Sequence, residues 1–372
     1  MTKNILISVG GTGGHVFPAQ ALARQLYKTD PNINILFVGS GLASNTFFSK
    51  SEFNYHEVTS GTLSKKKILE SIKNGGSIAK GIYHSWRIMG SYKPDVVVGF
   101  GSYHSFPALA AAKMRGVPIV LHEGNSVPGK VNSFFSKYAR VTTVNFPQTA
   151  YHLKGKSLQV SFPLREGYST SFASTEDARK SFVLHPNKFT FLVFGGSQGA
   201  LSLNTHFCSA VMDLVDRTSN FQIIHLTGNT EVTEELQDFY RQLPIDACVK
   251  NFETRMDLAW QAADLVIARA GASTIAEQIE METPGILVPY PFSTDKHQDK
   301  NADHMANEIK GAIKLTESEL MPTKMSQAIS SLVDNDHAKL KAMRHALREY
   351  KNQSRVRDLG SVVCEMAGLK LR

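Results

Sequence analysis

The stretch Asn4–His15, NILISVGGTGGH, decides the fold. Asn4–Val9 is a short apolar run of the kind that forms a strand buried on both faces. The paired glycines Gly10 and Gly11 end it. Beyond them, Pro18–Tyr27 carries Ala19, Leu22, Ala23 and Leu26 at helical spacing. A strand, a glycine turn and a helix open a βαβ unit. Further apolar runs follow at Ile33–Val38, Val96–Val98, Val117–Leu121 and Val141–Val144, with helical stretches between most of them. The pattern then restarts at Phe189–Gly199, FTFLVFGGSQG, with a helix to about Val215. Phe221–Leu226, Leu265–Ala268 and Ile286–Val288 continue it. Both openings read G-G-[S/T]-x-G directly after a first strand. The expected fold is α/β: two Rossmann-like domains with parallel sheets facing across a cleft. A C-terminal helical tail from about Thr323 carries no strand signal. The expected division is 1–163, 164–345, and a helix over 346–372 packing back on the first domain. The linker is placed near Phe162–Pro163, before the polar stretch Ser169–Thr175.

The chain has 372 residues, 42% hydrophobic and 20% charged, enough for two cores. Its three cysteines form no CxxC and no zinc spacing, which points to a reducing compartment. Neither a signal peptide nor a run of about 18 apolar residues is expected, so the default is cytosolic. The net charge of +8 admits nucleic acid, an anionic membrane surface or a phosphate-bearing substrate. Most of the excess lies in Lys65–Lys93, where seven basic residues face one acid, Glu70. There Ile68, Leu69, Ile72, Ala79, Ile82, Trp86 and Met89 recur at near-helical spacing, interrupted at Gly75-Gly76. The plain reading is a surface helix packing its stripe on the sheet. The sharper one is an element docking on an anionic membrane. Nucleic acid is disfavoured, because no recognition motif accompanies the charge.

Three glycine loops follow predicted strands: Gly10–Gly14, Gly99–Tyr103 and Gly195–Gly199. Such turns expose backbone N–H groups at the positive end of a helix and bind phosphates, though any one could be mere close packing. The dinucleotide spacing G-x-G-x-x-G fails, since Val16 stands where the third glycine belongs. Gly39 and Ser40 occupy the place of the ribose-binding acid. No Walker sequence is present. His15, where the helix begins, suits a general base, against the plainer role of packing the loop. The one D-x-D, Asp334-Asn335-Asp336, reads as a turn with an N-cap rather than a metal site. Leaving-group charge then falls to backbone dipoles and a cation.

Six ordered blocks complete the picture: GGTGGHVFP at Gly10–Pro18, KPDVVVG at Lys93–Gly99, HEGN at His122–Asn125, GGSQGA at Gly195–Ala200, RAGASTIAE at Arg269–Glu277 and HQDKNA at His297–Ala302. Together they resemble the MurG family of bacterial peptidoglycan N-acetylglucosaminyltransferases, which have the GT-B fold and belong to glycosyltransferase family 28. The resemblance spans Ile5 to about Asn301. It implies inverting transfer of N-acetylglucosamine from UDP to the 4-hydroxyl of N-acetylmuramic acid in lipid I, giving lipid II. No cofactor or metal is implied; UDP-N-acetylglucosamine is a substrate. Carried over by position, donor contacts fall on Thr12, Gly13, Gly14, Asn125, Arg165, Ser197, Ala272, Ser273, Thr274, Ile275, Ala276, Glu277 and Gln298. Glu253 stands at a backbone contact to uracil. Glu277 would take the ribose hydroxyls and Gln298 would face the sugar. Ser197 and the Ala272 helix would hold the donor diphosphate. The acceptor's diphosphate would lie on Gly10, Gly11, Gly101, Ser102 and Tyr103. The implied place is the cytoplasmic face of the inner membrane, as a peripheral protein. Cell-wall synthesis or division proteins are partners that the sequence does not single out. The chain departs from the family in three places. Gly101–Pro107 reads GSYHSFP rather than GGYVSGP, Ser161-Phe162-Pro163 replaces G-N-P, and Glu253 replaces an aliphatic residue. A UDP-N-acetylglucosamine 2-epimerase and a non-catalytic sugar-nucleotide-binding membrane scaffold are the alternative readings.

Overall fold

The computed structural model describes residues 2–61, 68–165, 167–168, 174–196, 199–333, 335–354 and 356–369, with the side chains of 68–74, 322 and 335 left aside. The chain divides into two compact units, 1–165 with 356–372, and 166–355.

The first unit holds β1 (Asn4–Ser8), β2 (Asn34–Gly39), β3 (Tyr55–Glu57), β4 (Val96–Gly99), β5 (Ile119–Glu123), β6 (Val141–Val144) and β7 (Ser157–Ser161). A two-residue strand near the C-terminus, Arg357–Asp358, joins them as β14. The order is β14-β7-β6-β5-β4-β1-β2-β3, and every pairing is parallel. Side chains along a strand alternate between faces. Ile5, Ile7 and Val9 therefore enter one core and Leu6 the other. Both faces are covered, so the strand sequence has no polar side to show.

The second unit holds β8 (Phe189–Phe194), β9 (Phe221–Leu226), β10 (Asp246–Lys250), β11 (Leu265–Ala268), β12 (Gly285–Leu287) and β13 (Ala312–Lys314). Its order is β10-β9-β8-β11-β12-β13, again all parallel. In each unit the first strand lies inside the sheet and its glycine turn at the carboxyl edge, where open α/β sheets bind ligands.

Several expectations need correction. The first helix runs Gly13–Thr29, opening two residues before His15, where the sequence places its start, and it includes Pro18. Pro18 lacks an N–H for the carbonyl of Gly14, but Gly14 is exposed, so solvent can satisfy that oxygen. The helix Ile68–Tyr92 passes through Gly75-Gly76 without a break. The return to the first unit comes at residue 356, not 346. Leu340 and Met343 of the helix Ala338–Gln353 belong to the second core, and Lys351 donates to the Glu280 carbonyl at 2.6 Å. Beyond it the chain does carry a strand, β14, followed by the helix Leu359–Met366, whose Leu359, Val362 and Val363 fill the first core.

Gly39 shows why no acidic residue stands at the end of β2. A Cβ there would lie 1.7 Å from the Val9 carbonyl oxygen, so the two backbones touch. Gly39→Ala is expected to destabilise the first unit by about 1–3 kcal/mol, the usual range for overpacking. Urea denaturation measures it. An unchanged midpoint would show that the β2 exit moves aside freely.

Candidate functional site

Each unit carries predicted site residues on its own carboxyl edge. In the first, Gly11 follows β1 with φ +90°, and in the second the equivalent Gly196 follows β8 with φ +90°. The repeat seen in sequence is thus a repeat of backbone conformation that disfavours any side chain.

Thr12 is extended and caps the helix Gly13–Thr29, so Gly13, Gly14 and His15 form its first turn. That turn has amides without intrahelical acceptors and carries no acidic residue. His15 is half-buried, and its N–H donates to the Thr12 carbonyl at 3.0 Å. The second glycine loop reaches this one directly: the Ser102 hydroxyl donates to the Gly10 carbonyl at 3.3 Å. Gly101 has φ +81°, and Tyr103 beside it is exposed. The Arg165 guanidinium lies 4.8 Å from the ring centre of Phe17, two residues past His15.

Glu123, at the end of β5, is a support that sequence reasoning left without a role. Its buried carboxylate accepts from the Asn125 amide at 3.0 Å, the Gly129 amide at 2.9 Å and Asn132 Nδ2 at 2.9 Å. The loop bearing Asn125 is therefore wrapped around one carboxylate. The Thr149 hydroxyl also donates to the Asn125 carbonyl at 2.9 Å. The only sequence signal was the acid inside the HEGN block. His122, next to it, packs against Phe100 and Phe162. Burial lowers its pKa to about 3, and the charge of His15 adds to the shift.

In the second unit, Gly271 is extended and opens the helix Ala272–Glu280. Ala272, Ser273 and Thr274 make its first turn, again without an acid. Ile275 and Ala276 are buried and set the helix on the core. One turn along, buried Glu277 accepts from Trp260 Nε1 at 2.9 Å. Arg269, just before this turn, donates to the Val288 and Pro289 carbonyls at 3.2 and 3.3 Å and pairs with Glu317. It ties the exit of β11 to the exit of β12. Gln298 accepts from the Tyr290 amide at 3.0 Å, and Asn301 donates to the Ala270 carbonyl at 3.0 Å. Trp260, Arg269 and Glu317 are supports whose partners lie too far along the chain for spacing to reveal.

Glu253 is buried and faces inward. It accepts from Lys250 Nζ at 2.7 Å and from the Arg255 amide at 2.8 Å. Burial pushes its pKa up, but the ammonium and amide outweigh that and leave it lowered. A nucleotide contact at this position would have to come from its backbone. Ser197 lies outside the described residues, as does Asp334 of the D-x-D. Asp336, the other acid of that pair, has φ +56° in the turn before the helix Ala338–Gln353.

Each unit also keeps a histidine neutral in its core. His225 accompanies His122; its Nδ1 is 2.9 Å from the Tyr240 hydroxyl and its Nε2 is 3.1 Å from Asn204 Oδ1. Burial lowers its pKa to about 3 as well. Below pH 6.5 the unfolded chain takes up protons that these folded histidines refuse. Their contribution to stability is therefore complete above that pH and is lost progressively down to about 3. Between pH 7 and 5 each unit should lose about 2 kcal/mol from this source. Urea titrations at the two pH values test it, with His225→Gln expected to flatten the dependence of the second unit.

Two all-parallel sheets, each led by a strand and the same glycine turn, define a nucleotide-binding α/β protein made of two like halves. Residues 5–144 match the glycosyltransferase family 28 N-terminal domain and residues 190–359 the family 28 C-terminal domain. The chain belongs to glycosyltransferase family 28, and its architecture is GT-B. A relative from Protochlamydia amoebophila is 44% identical over 372 residues, covering 100% of this chain and 97% of that protein. A second, from Bacillus subtilis, is 31% identical over 89% of this chain and 91% of its own length. Both are named UDP-N-acetylglucosamine--N-acetylmuramyl-(pentapeptide) pyrophosphoryl-undecaprenol N-acetylglucosamine transferase. The crystal structure of Acinetobacter baumannii MurG superposes with a TM-score of 0.77 at 26% identity, covering 98% of this chain and 99% of that one.

Proposed function

We propose that this protein transfers N-acetylglucosamine from UDP-N-acetylglucosamine to the 4-hydroxyl of N-acetylmuramic acid in undecaprenyl-pyrophosphoryl-MurNAc-pentapeptide, lipid I. The products are lipid II and UDP. The observation that carries this is the full-length relation at 44% identity to a protein bearing that name.

The chemistry is a single in-line displacement. His15 takes the proton of the acceptor hydroxyl as that oxygen bonds to the anomeric carbon. The bond from that carbon to the UDP oxygen breaks, its electron pair leaves with the diphosphate, and the configuration inverts. The donor diphosphate rests at the start of the helix Ala272–Glu280, whose open amides and dipole favour negative charge. No metal step is needed, because backbone donors carry the leaving-group charge. Glu277 takes the ribose and Gln298 the sugar. Thr12, Gly13, Gly14, Asn125 and Arg165 complete the donor's surroundings, and Gly10, Gly11, Gly101 and Tyr103 receive the acceptor diphosphate. A UDP-release assay with and without a lipid I analogue tests the reaction. Release that depends on the analogue supports it; release or isomerisation of the donor without an acceptor would overturn it.

Among the described residues no helix is long and apolar enough to cross a membrane. The first unit instead presents aromatic side chains among cations. Tyr83 and Trp86 are exposed on the helix Ile68–Tyr92, while Met89 of the same helix is buried. The Arg115 guanidinium stacks 3.9 Å from the Trp86 ring centre, and Lys113 Nζ lies 3.6 Å from that of Tyr138. Phe134 is exposed beside Tyr138. Lys65–Lys67 and the side chains of 68–74 lie outside the described residues. Aromatic rings set among cations suit the headgroup layer of an anionic membrane. Binding to anionic vesicles is expected to weaken as salt rises. Equal binding to neutral vesicles at every salt concentration would sink the docking role.

A further inference from the structure

Ser102 and His104 both reach the Gly10–Gly11 turn. Ser102 has φ +65° and ψ 162°. That region is essentially reserved for glycine, and other residues persist there only when their surroundings hold them. Its hydroxyl donates to the Gly10 carbonyl at 3.3 Å and accepts from the His104 amide at 3.2 Å. The His104 side chain lies against the turn. A Cβ on Gly10 would fall 2.5 Å from His104 Cβ, and one on Gly11 would fall 3.3 Å from His104 Cδ2. The Nδ1 of the same ring is 2.6 Å from the hydroxyl of Ser40, at the exit of β2. Asn45 Nδ2 donates to the Gly11 carbonyl at 2.6 Å. Both carbonyls of the turn are thus taken by side chains, and both of its α-carbons rest on His104. What the turn keeps for a ligand is its own Gly10 and Gly11 amides, which donate to no backbone carbonyl among the described residues.

We infer that Ser102 and His104, with Ser40, are positioning residues for the acceptor: they brace the Gly10–Gly11 turn so that it receives a diphosphate. They act through the turn and set acceptor affinity, leaving donor affinity and the chemical step alone. The inference rests on the assignment of the acceptor diphosphate to the glycine turns of the first unit. The strain at Ser102 separates this role from a structural one. A loop selected only for stability would be better served by glycine, which occupies that conformation freely.

The test measures melting temperature and the KM of both substrates, using UDP-N-acetylglucosamine and a lipid I analogue. Ser102→Gly is expected to melt about 2–4 °C higher and yet to raise the analogue's KM about 3- to 10-fold, the scale of one lost hydrogen bond. His104→Val and Ser40→Ala should each raise that KM by a similar factor. The double variant should be no worse than either, because the two side chains form one pair. His104→Asn can still bond Ser40 and should stay within about twofold of the parent. The donor KM should not move in any of them. A more stable Ser102→Gly with an unchanged analogue KM would overturn the inference, as would equal rises in both KM values. Absence of analogue-dependent UDP release from the parent protein would overturn the assigned reaction and the brace with it. Normal release in the parent, unaltered in every variant, would overturn the brace alone.

Discussion

His15→Ala is expected to lower turnover on a lipid I analogue by about 10²–10⁴-fold, the usual cost of losing a general base. UDP-N-acetylglucosamine binding should largely persist, since the donor assignments fall mostly on the second unit. The helix itself should survive, because His15 contributes its backbone N–H, bonded to Thr12, and alanine keeps that bond. A neighbouring imidazole cannot take over. His122 interacts electrically with His15, but burial holds its pKa at about 3, and it packs between Phe100 and Phe162. Equilibrium binding of the donor and single-turnover transfer separate the two effects. Near-normal transfer by the variant would remove His15 from the base role.

The inner strands of both sheets were readable because they are buried on both faces, so β1, β4, β8 and β11 appear as near-continuous apolar runs. The strands missed lie at or next to the sheet edges: β3, β7, β10, β13 and β14. Edge strands are half-covered, and β7 and β10 read SLQVS and DACVK, which no periodicity distinguishes from a loop. β14 is two residues long and exists only because the chain returns to pair with Val160 and Ser161. Gly75-Gly76 misled in the opposite sense. Each glycine costs a helix about 1 kcal/mol against alanine, and the helix Ile68–Tyr92 absorbs both.

At the site, the glycine turns were legible because their conformation demands glycine, as the shared φ of Gly11 and Gly196 shows. The groups that hold those turns were not. Ser40 and Asn45, from the loop after β2, and His104, from the segment after β4, meet the first turn, and Glu317 reaches Arg269 across 48 positions. Such pairings depend on how sheet edges align, which no local pattern records.

Glu277 offers the second large effect, and its two substitutions should part company. Its carboxylate has a structural duty, accepting from the buried Trp260 Nε1 at 2.9 Å, and a proposed recognition duty toward the ribose. Glu277→Ala removes both. The indole N–H then stays buried without its acceptor, at a cost of about 1–3 kcal/mol, and the melting temperature should fall. Glu277→Gln retains a carbonyl oxygen for Trp260 but loses the charge and places an amide where hydroxyl protons met a carboxylate. Hydrogen bonds to a charged group are worth about 1.5–3 kcal/mol, which corresponds to roughly 10- to 150-fold in affinity. The glutamine variant is therefore expected to melt near the parent temperature while its KM for UDP-N-acetylglucosamine rises by that factor. Its kcat at saturating donor should be largely kept, since the ribose does not change during the reaction. If the glutamine variant binds donor as tightly as the parent, Glu277 serves Trp260 alone, and ribose recognition must be sought elsewhere on the same edge.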